Sequence, residues 1–268
     1  MTTTSSHPPE DRGGGRTGRG RHALVVADGD VPPRAALDAA WPGWDADIAD
    51  VVAADAGLVR AGALGLRPDV LVGDLDSLDP ALAAAAEADG IPIRRARPDK
   101  DESDAELALI EAVRRGAGRV TVLGAFGGPR LDHALANVWL LAHPALVDVP
   151  ICLLDAGSRV FLVVAPGHDG DPVRRTLPGP VGATVSLLPF GGDVAGITTH
   201  GLAYRLRDEP LTVGPARGLS NVRTAADAAV TVRSGRLLVI ETAFVPTRLS
   251  SGDEHAPGRR PGPRGRTP

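Results

Sequence analysis

Between residues 22 and 143, short apolar runs alternate with stretches of helical period, and this alternation narrows the fold more than any other feature. Runs at 23–27, 48–54, 70–72, 91–95 and 120–123 read as strands. Residues 31–41 read as a helix. Asp79-Pro80 pairs an N-cap with proline at the first helical position, so residues 80–89 are expected to form an alanine-rich helix. Ser103-x-x-Glu106 is a capping-box pattern that opens a helix with Leu107, Ile110 and Val113 on one side. Leu131, Leu135 and Val138 mark a last helix, whose two leucines are expected to turn toward the sheet. Short strands alternating with helices argue for a parallel sheet covered on both faces.

After roughly residue 150 the helical period stops. Runs at 151–154, 160–164, 184–188, 202–206, 229–232 and 237–240 read as strands, with Ser234-Gly235 as a hairpin turn. The chain is therefore divided into an α/β domain at 22–146 and an all-β domain at 150–245. Residues 1–21 and 246–268, rich in Gly, Pro, Ser and Arg, read as disordered tails.

A chain of 268 residues with 43% hydrophobic content and net charge −4 is an ordinary soluble protein that asks for no nucleic-acid or membrane partner. No apolar run approaches the roughly 20 residues of a membrane span. Cys152 is the only cysteine, so no intrachain disulfide forms, and a cytoplasmic location fits. Beside Ile151 and Leu153 it reads as a small core residue. Of 29 basic residues only Lys100 is lysine, and it stands inside an acidic motif.

That motif belongs to the chemistry. The run from Asp69 to Leu78 carries an apolar strand into two carboxylates, Asp74 and Asp76, one residue apart. Such a pair suits a hard cation such as Mg²⁺ on a polyphosphate. Parallel sheets bind ligands beyond the carboxyl ends of their strands. Four polar clusters fall there: Asp55 with Gly57; Asp74, Asp76 and Ser77; Asp99 to Asp104; and Gly124 to His133. Asp74, Asp76, Asp101 and Asp104 would repel one another unless a divalent ion or Lys100 compensated. Plainer roles stay open: a helix cap for Asp55, a turn for Asp76 or Ser77, an N-cap for Ser103, and a helix-dipole contact for Asp104. In the fourth cluster, backbone N–H groups around Gly127 and Gly128 can hold phosphate oxygens, and Arg130 can add charge-assisted bonds. Asp132 and His133 lie in the first helical turn, with Asn137 one turn beyond. In the all-β half, Ser220 and Asn221 of Gly218-Leu-Ser-Asn221 suit a small polar ligand or a plain turn.

Five motifs in this order resemble the thiamine pyrophosphokinase (thiamine diphosphokinase) family: Ala53-Ala-Asp-Ala-Gly57, Gly73-Asp-Leu-Asp-Ser77, Asp99-Lys-Asp-Glu-Ser-Asp104, Gly127-Gly-Pro-Arg-Leu-Asp-His133 and Gly218-Leu-Ser-Asn221. The resemblance implies an α/β catalytic domain with a mostly parallel, Rossmann-like sheet, followed by an all-β sandwich domain that binds thiamine. It implies a homodimer, with thiamine between the catalytic domain of one subunit and the sandwich of its partner. The implied reaction moves pyrophosphate from the co-substrate ATP to the thiamine hydroxyl, giving thiamine diphosphate and AMP. Asp74, Asp76 and Asp104 would hold Mg²⁺, and Lys100, Asp101, Arg130 and Asp132 would act at the phosphates. Asp55, Gly57, Ser77, Ser103, Gly127, Gly128, His133 and Asn137 fall on the nucleotide side, and Ser220 and Asn221 at the thiamine end. The chain departs from the family at Pro129, placed before Arg130, and at Val222-Arg223, where an acidic residue is usual. Three other readings fit parts of the pattern. One is a pyrophosphokinase for another alcohol such as 6-hydroxymethyl-dihydropterin, and another is a catalytically decayed nucleotide-binding protein. The third, an Asp-x-Asp phosphatase of the haloacid-dehalogenase type, lacks the later lysine it needs.

Overall fold

The computed structural model describes residues 20–167 and 169–244. The segments expected as tails lie outside the described residues, except for Gly20 and Arg21, which begin the first strand region. Strands β1 (Arg21–Val26), β2 (Ile48–Ala54), β3 (Val70–Gly73), β4 (Ile93–Arg95), β5 (Ala117–Leu123) and β6 (Ile151–Leu154) are all parallel, in the order β6-β5-β1-β2-β3-β4. The chain steps outward from β1 to β4 and then crosses to β5 on the other side of β1. This reversal of direction opens a crevice at the carboxyl edge.

Successive side chains of a strand point to opposite faces, so each strand feeds two cores. Ala23 and Val25 pack with Val52 and Val70 under helix α4 (Asp104–Arg114), which contributes Ala108, Leu109 and Ala112. Leu24 and Val26 face the other way. They meet Leu37 of helix α1 (Arg34–Ala40) and Ala61 of helix α2 (Gly57–Ala63). Ala83 and Ala86 of helix α3 (Pro80–Ala88) cover Ala53 and Leu71 on that same face. Each buried Leu or Val contributes about 1.5–3 kcal/mol.

Several expected elements shift for local reasons. Helix α1 starts at Arg34 rather than residue 31 because Pro33, with ψ 145°, occupies the N-cap and the residue before a proline avoids helical geometry. Strand β4 begins only after Pro92. Helix α2 is seven residues long, too short to show a period, and the sequence reading omits it. In helix α5 (Leu131–Leu140) the expected orientation is wrong: Leu131 and Leu135 are 72% and 47% exposed. This helix packs beside α4 through Val138 and Leu140, followed by Leu141 at its C-cap, which join the core under α4. Trp139 also lies outward, its ring 5.7 Å from that of Phe190.

Beyond β6 the sheet continues without a break. Strand β7 (Ser158–Ala165) pairs antiparallel with β6, and the later strands β14 (Gly235–Thr242), β9 (Thr184–Pro189) and β12 (Asn221–Val222) extend it to ten strands. A second sheet orders β11 (Glu209–Leu211), β10 (Val194–His200), β13 (Ala229–Val232) and β8 (Val173–Thr176). Val163, Leu187, Leu237 and Val239 from the first sheet meet Ile197, Val230 and Val232 from the second, so the two form a sandwich. Residues 202–206, expected as a strand, form a loop with one isolated bridge from Leu202 to Arg223. The strand lies instead at β10, where Gly196 at φ +66° accompanies a register shift that hides the alternation. Ser234-Gly235 is not a hairpin turn. It is a corner that carries the chain from β13 in one sheet to β14 in the other.

Candidate functional site

The parallel strands end at one edge, and three carboxylates meet there. Asp55 follows β2 in a left-handed conformation (φ 48°), tied to β3 by its N–H, which donates to the Val72 carbonyl at 2.9 Å. The residue is 1% exposed. Ser77 Oγ donates to Asp55 Oδ2, whereas Asp55 Oδ1 is buried and has no hydrogen-bond partner among the described residues. Strand β3 ends on Gly73 at φ +147°. A Cβ there would lie 3.1 Å from Asp104 Oδ1 and 3.3 Å from Asp55 Cβ, so glycine leaves these side chains their room. Asp74 follows, its Oδ1 accepting the Asp76 N–H at 3.2 Å. Ser103 Oγ caps α4 by accepting the Glu106 N–H at 3.2 Å, which sets Asp104 in the first turn.

Lys100 joins the group by donating from Nζ to Asp74 Oδ2 and to Asp104 Oδ1, both at 2.7 Å. Asp55, Asp74 and Asp104 each offer one oxygen within 4.8 Å of the other two. Oxygens across an octahedral Mg²⁺ at about 2.1 Å stand about 4.2 Å apart, so a small contraction fits a hard cation. The charges also ask for one, since a single ammonium faces three carboxylates. Burial pushes the Asp55 carboxyl above its ordinary value; the Asp104 charge adds to this, and the Ser77 bond opposes it. The Lys100 hydrogen bond holds Asp74 below its ordinary value. Burial opposes the charge on Lys100 most strongly, yet the bonds to Asp104 and Asp74 keep its pKa above the ordinary value.

The glycine-rich turn after β5 locks onto the loop after β1. Gly29 N donates to Gly124 O at 2.9 Å, Asp30 N to Phe126 O at 2.8 Å, and Gly128 N to Asp30 Oδ2 at 3.0 Å. Gly127 and Gly128 both have left-handed φ, 80° and 71°, and a Cβ on Gly127 would strike Asp30 Oδ2 at 2.3 Å. Asn137 Nδ2 pins the same turn by donating to Ala125 O at 2.9 Å. At the start of α5, Arg130 grips Asp132 through Nε and a terminal nitrogen at 2.9 and 2.6 Å. That hydrogen bond holds the Asp132 carboxyl well below the usual range.

The structure thus brings together Asp55, Ser77, Asp74, Lys100 and Asp104 from three loops. Asp76 is exposed and borders the group without being one of its three converging oxygens, and Asp55 takes that place. Asp101 is exposed at a cleft of about 370 Å³ that Lys100 also lines. Ser103 serves as the helix cap, and Gly57 packs the start of α2 where a Cβ would meet the Val26 carbonyl at 2.0 Å. Arg130, Asp132 and His133 sit together and exposed on the α5 rim. In the sandwich, Ser220 is exposed at φ 56°, but Asn221 is buried and holds the Tyr204 backbone, accepting from its N–H at 2.9 Å and donating to its carbonyl at 2.7 Å. Arg223, the departure from the family pattern, is buried on Glu241. Sequence reasoning missed Asp30 and the exposed Tyr204. The Asp28-Gly29-Asp30 triplet after the first strand was the available signal for the former.

The profile of the thiamin pyrophosphokinase catalytic domain matches residues 46–153, and that of the thiamin pyrophosphokinase vitamin B1 binding domain matches residues 175–239. Thiamine pyrophosphokinase of Bacillus subtilis (strain 168) is 25% identical over 193 residues, covering 71% of this chain and 86% of the relative. Thiamine pyrophosphokinase 1 of Oryza sativa subsp. japonica is 28% identical over 162 residues, covering 58% of this chain and 59% of that relative's length. The crystal structure of the Bacillus subtilis thiamine pyrophosphokinase superposes with a TM-score of 0.71 at 23% identity, over 84% of this chain and all of that one (100%). The thiamin pyrophosphokinase of Geobacillus thermodenitrificans gives a TM-score of 0.68 at 26% identity, over 84% of this chain and 99% of that one.

Proposed function

Because the chain belongs to the thiamin pyrophosphokinase family, we propose that it transfers the terminal pyrophosphoryl group of ATP to the hydroxyl of thiamine, giving thiamine diphosphate and AMP. What carries this reading is the meeting of Asp55, Asp74 and Asp104 around Lys100 at the carboxyl edge of the sheet. Such a reaction demands mostly positioning and charge neutralisation.

We assign Asp55, Asp74 and Asp104 to Mg²⁺, with Asp76 bordering them. The orphaned, buried Asp55 Oδ1 supports the assignment, as does an all-oxygen donor set. When bound, Mg²⁺ neutralises phosphate charge and orients the phosphate oxygens for in-line attack. Lys100, held by two carboxylates, places an ammonium where charge develops on the transferred group. Arg130 keeps N–H donors beyond those given to Asp132, and the glycine turn braced by Asp30 presents backbone amides to the triphosphate. Asp132 is a poor proton acceptor because the Arg130 bond lowers its pKa. Asp101, exposed and without a partner among the described residues, is the carboxylate we assign to accept the thiamine hydroxyl proton.

On the acceptor side we assign Ser220 and Tyr204, the latter 70% exposed on a loop that Asn221 orients. A homodimer would bring that loop to a partner's phosphate site. Leu131, Leu135 and Trp139, exposed along one face of α5, are apolar surface suited to such an interface. No described helix is long and apolar enough to cross a membrane. We place the protein in the cytoplasm, where ATP is available.

The test is product analysis with purified protein, Mg²⁺, ATP and thiamine, followed by chromatography and phosphorus NMR. Thiamine diphosphate and AMP in equal amounts are expected. ADP with thiamine monophosphate would overturn the reading, and AMP formed with hydroxymethylpterin but not with thiamine would replace the acceptor.

A further inference from the structure

A cavity larger than the cleft at Asp101 lies away from the acidic cluster. It is lined by His22 near the start of β1, Arg119 to Thr121 in the middle of β5 and Ile151 and Cys152 at the start of β6, whereas the cluster sits beyond the carboxyl ends of the strands. Its volume is about 800 Å³, within the range of small-molecule sites. One wall comes from the α/β half, with Trp41 and Trp44 after α1. The other comes from the sandwich, with Phe161, Phe244 and the turn around Gly179.

The charge of the lining is one-sided. Arg119, Arg159, Arg175 and Arg223 line it, and among the described residues no carboxylate does. Glu241, fully buried behind the wall, accepts bonds from both Arg159 and Arg223, so one carboxylate serves two guanidinium groups. Arg223 also donates to the Leu177 carbonyl at 3.0 Å, and burial lowers its pKa. Arg159 stacks over Trp41 with its Cζ 5.2 Å from the ring centroid. The Arg175 side chain has no ion-pair or hydrogen-bond partner among the described residues, and Arg119 reaches an exposed Asp47 at 3.8 Å and the His22 ring at Nδ1, 3.3 Å away. His22 adds no compensating anion, and burial lowers its pKa. Its Nδ1 lies 3.2 Å from the Ala46 carbonyl and 3.3 Å from an Arg119 nitrogen, and its Nε2 lies 2.9 Å from Thr121 Oγ1.

We infer that this cavity is a second ligand site, for an organic anion with a flat or aliphatic apolar body and one terminal oxyanion. The body would lie between Trp41, Phe161 and Phe244. The oxyanion would take Arg175 and Arg119 at the mouth, with the hydroxyls of Thr176 and Thr242 as further donors. A cation such as thiamine is repelled there, so the site is distinct from that of the acceptor alcohol. Because its walls come from both halves of the chain, a bound anion would tie them together.

The probe is 8-anilinonaphthalene-1-sulfonate, a flat aromatic sulfonate, with fluorescence read by energy transfer from Trp41 and Trp44. We expect saturable binding of one probe per chain, displaced by octyl phosphate and not by 1-octanol. The Arg119→Ser/Arg175→Ser double variant should weaken the probe at least 10-fold, and Ala40→Trp, which fills the mouth, should weaken it comparably. Trp139→Phe, far from the cavity on α5, should leave it unchanged. The inference fails if the double variant binds the probe as tightly as the parent, or if octanol displaces it as well as octyl phosphate. It fails equally if Ala40→Trp has no effect in a variant whose thermal unfolding matches the parent. Thiamine diphosphate formation by the double variant is expected at the parent rate, which keeps this test separate from that of the proposed reaction.

Discussion

Asp55→Asn should push stability and activity in opposite directions. The substitution preserves shape, and asparagine tolerates the left-handed backbone that Asp55 adopts at φ 48°. Its amide oxygen can still accept the Ser77 hydroxyl, so the change is chiefly the loss of one buried charge. Oxygens of Asp55, Asp74 and Asp104 lie within 4.8 Å of one another. At that separation two like charges repel by about 3.5 kcal/mol for an effective dielectric constant of about 20. Lys100 already offsets part of this, and a neutral acceptor weakens the Ser77 bond by about 1 kcal/mol. Without divalent ions the variant should therefore be more stable by about 1–2 kcal/mol, a rise in Tm of roughly 2–8 °C for a chain of this size. Turnover should fall about 10²- to 10³-fold, as when one preorganised transition-state group is removed. Thermal unfolding in EDTA and in Mg²⁺, with coupled detection of AMP, measures both. A lower Tm in EDTA, or an equal Mg²⁺-induced rise in parent and variant, would refute the claim that Asp55 is strained for a cation.

Other outcomes follow from the same geometry. Gly73→Ala should destabilise the fold by about 1–3 kcal/mol at its positive φ and lower turnover by displacing Asp104, read as a urea midpoint and a rate. Glu241→Gln leaves the buried Arg223 and the half-buried Arg159 without their shared counter-charge and should cost about 3–5 kcal/mol in urea unfolding. Burial lowers the pKa of His22 below 6.5, so the unfolded chain takes up that proton first. Its contribution is complete above pH 6.5 and is lost as pH falls through the lower folded value. His22→Gln should then flatten the fall of the urea midpoint on acidification; an unchanged slope would remove His22 as a cause. Burial pushes the Cys152 thiol up to about 12, and the residue lines the cavity. It should resist a thiol reagent such as DTNB until the protein is unfolded, and rapid native labelling would contradict this.

Much of this was legible in the residues. The strand-ending run to Asp74, the proline-marked α3 and the Ser103 cap are local signals, and the structure keeps all three. Lys100 stood out as the single lysine and proves to be the cation among the carboxylates. What the sequence hid depends on distant partners. Asp55 rather than Asp76 completes the oxygen group because a left-handed turn and the glycine at position 73 bring β2 and β3 loops together, which spacing along the chain does not reveal. Leu131 and Leu135 look like core by period, yet α5 shows them to solvent. The bulge at Gly196 concealed β10, and nothing short-range tells that Ser234-Gly235 turns a corner between sheets. Arg223 looked like a departure at a ligand site until Glu241 of β14, 18 residues further on, supplied its buried partner.

The most direct measurement is a crystal structure with Mn²⁺ in place of Mg²⁺ and a non-hydrolysable ATP analogue, with the ion located by its anomalous signal. An ion bonded to Asp55, Asp74 and Asp104 at about 2.1–2.2 Å, touching phosphate oxygens and leaving Asp76 at its border, is the predicted result. An ion held elsewhere, with those three carboxylates still turned to Lys100 alone, would contradict it.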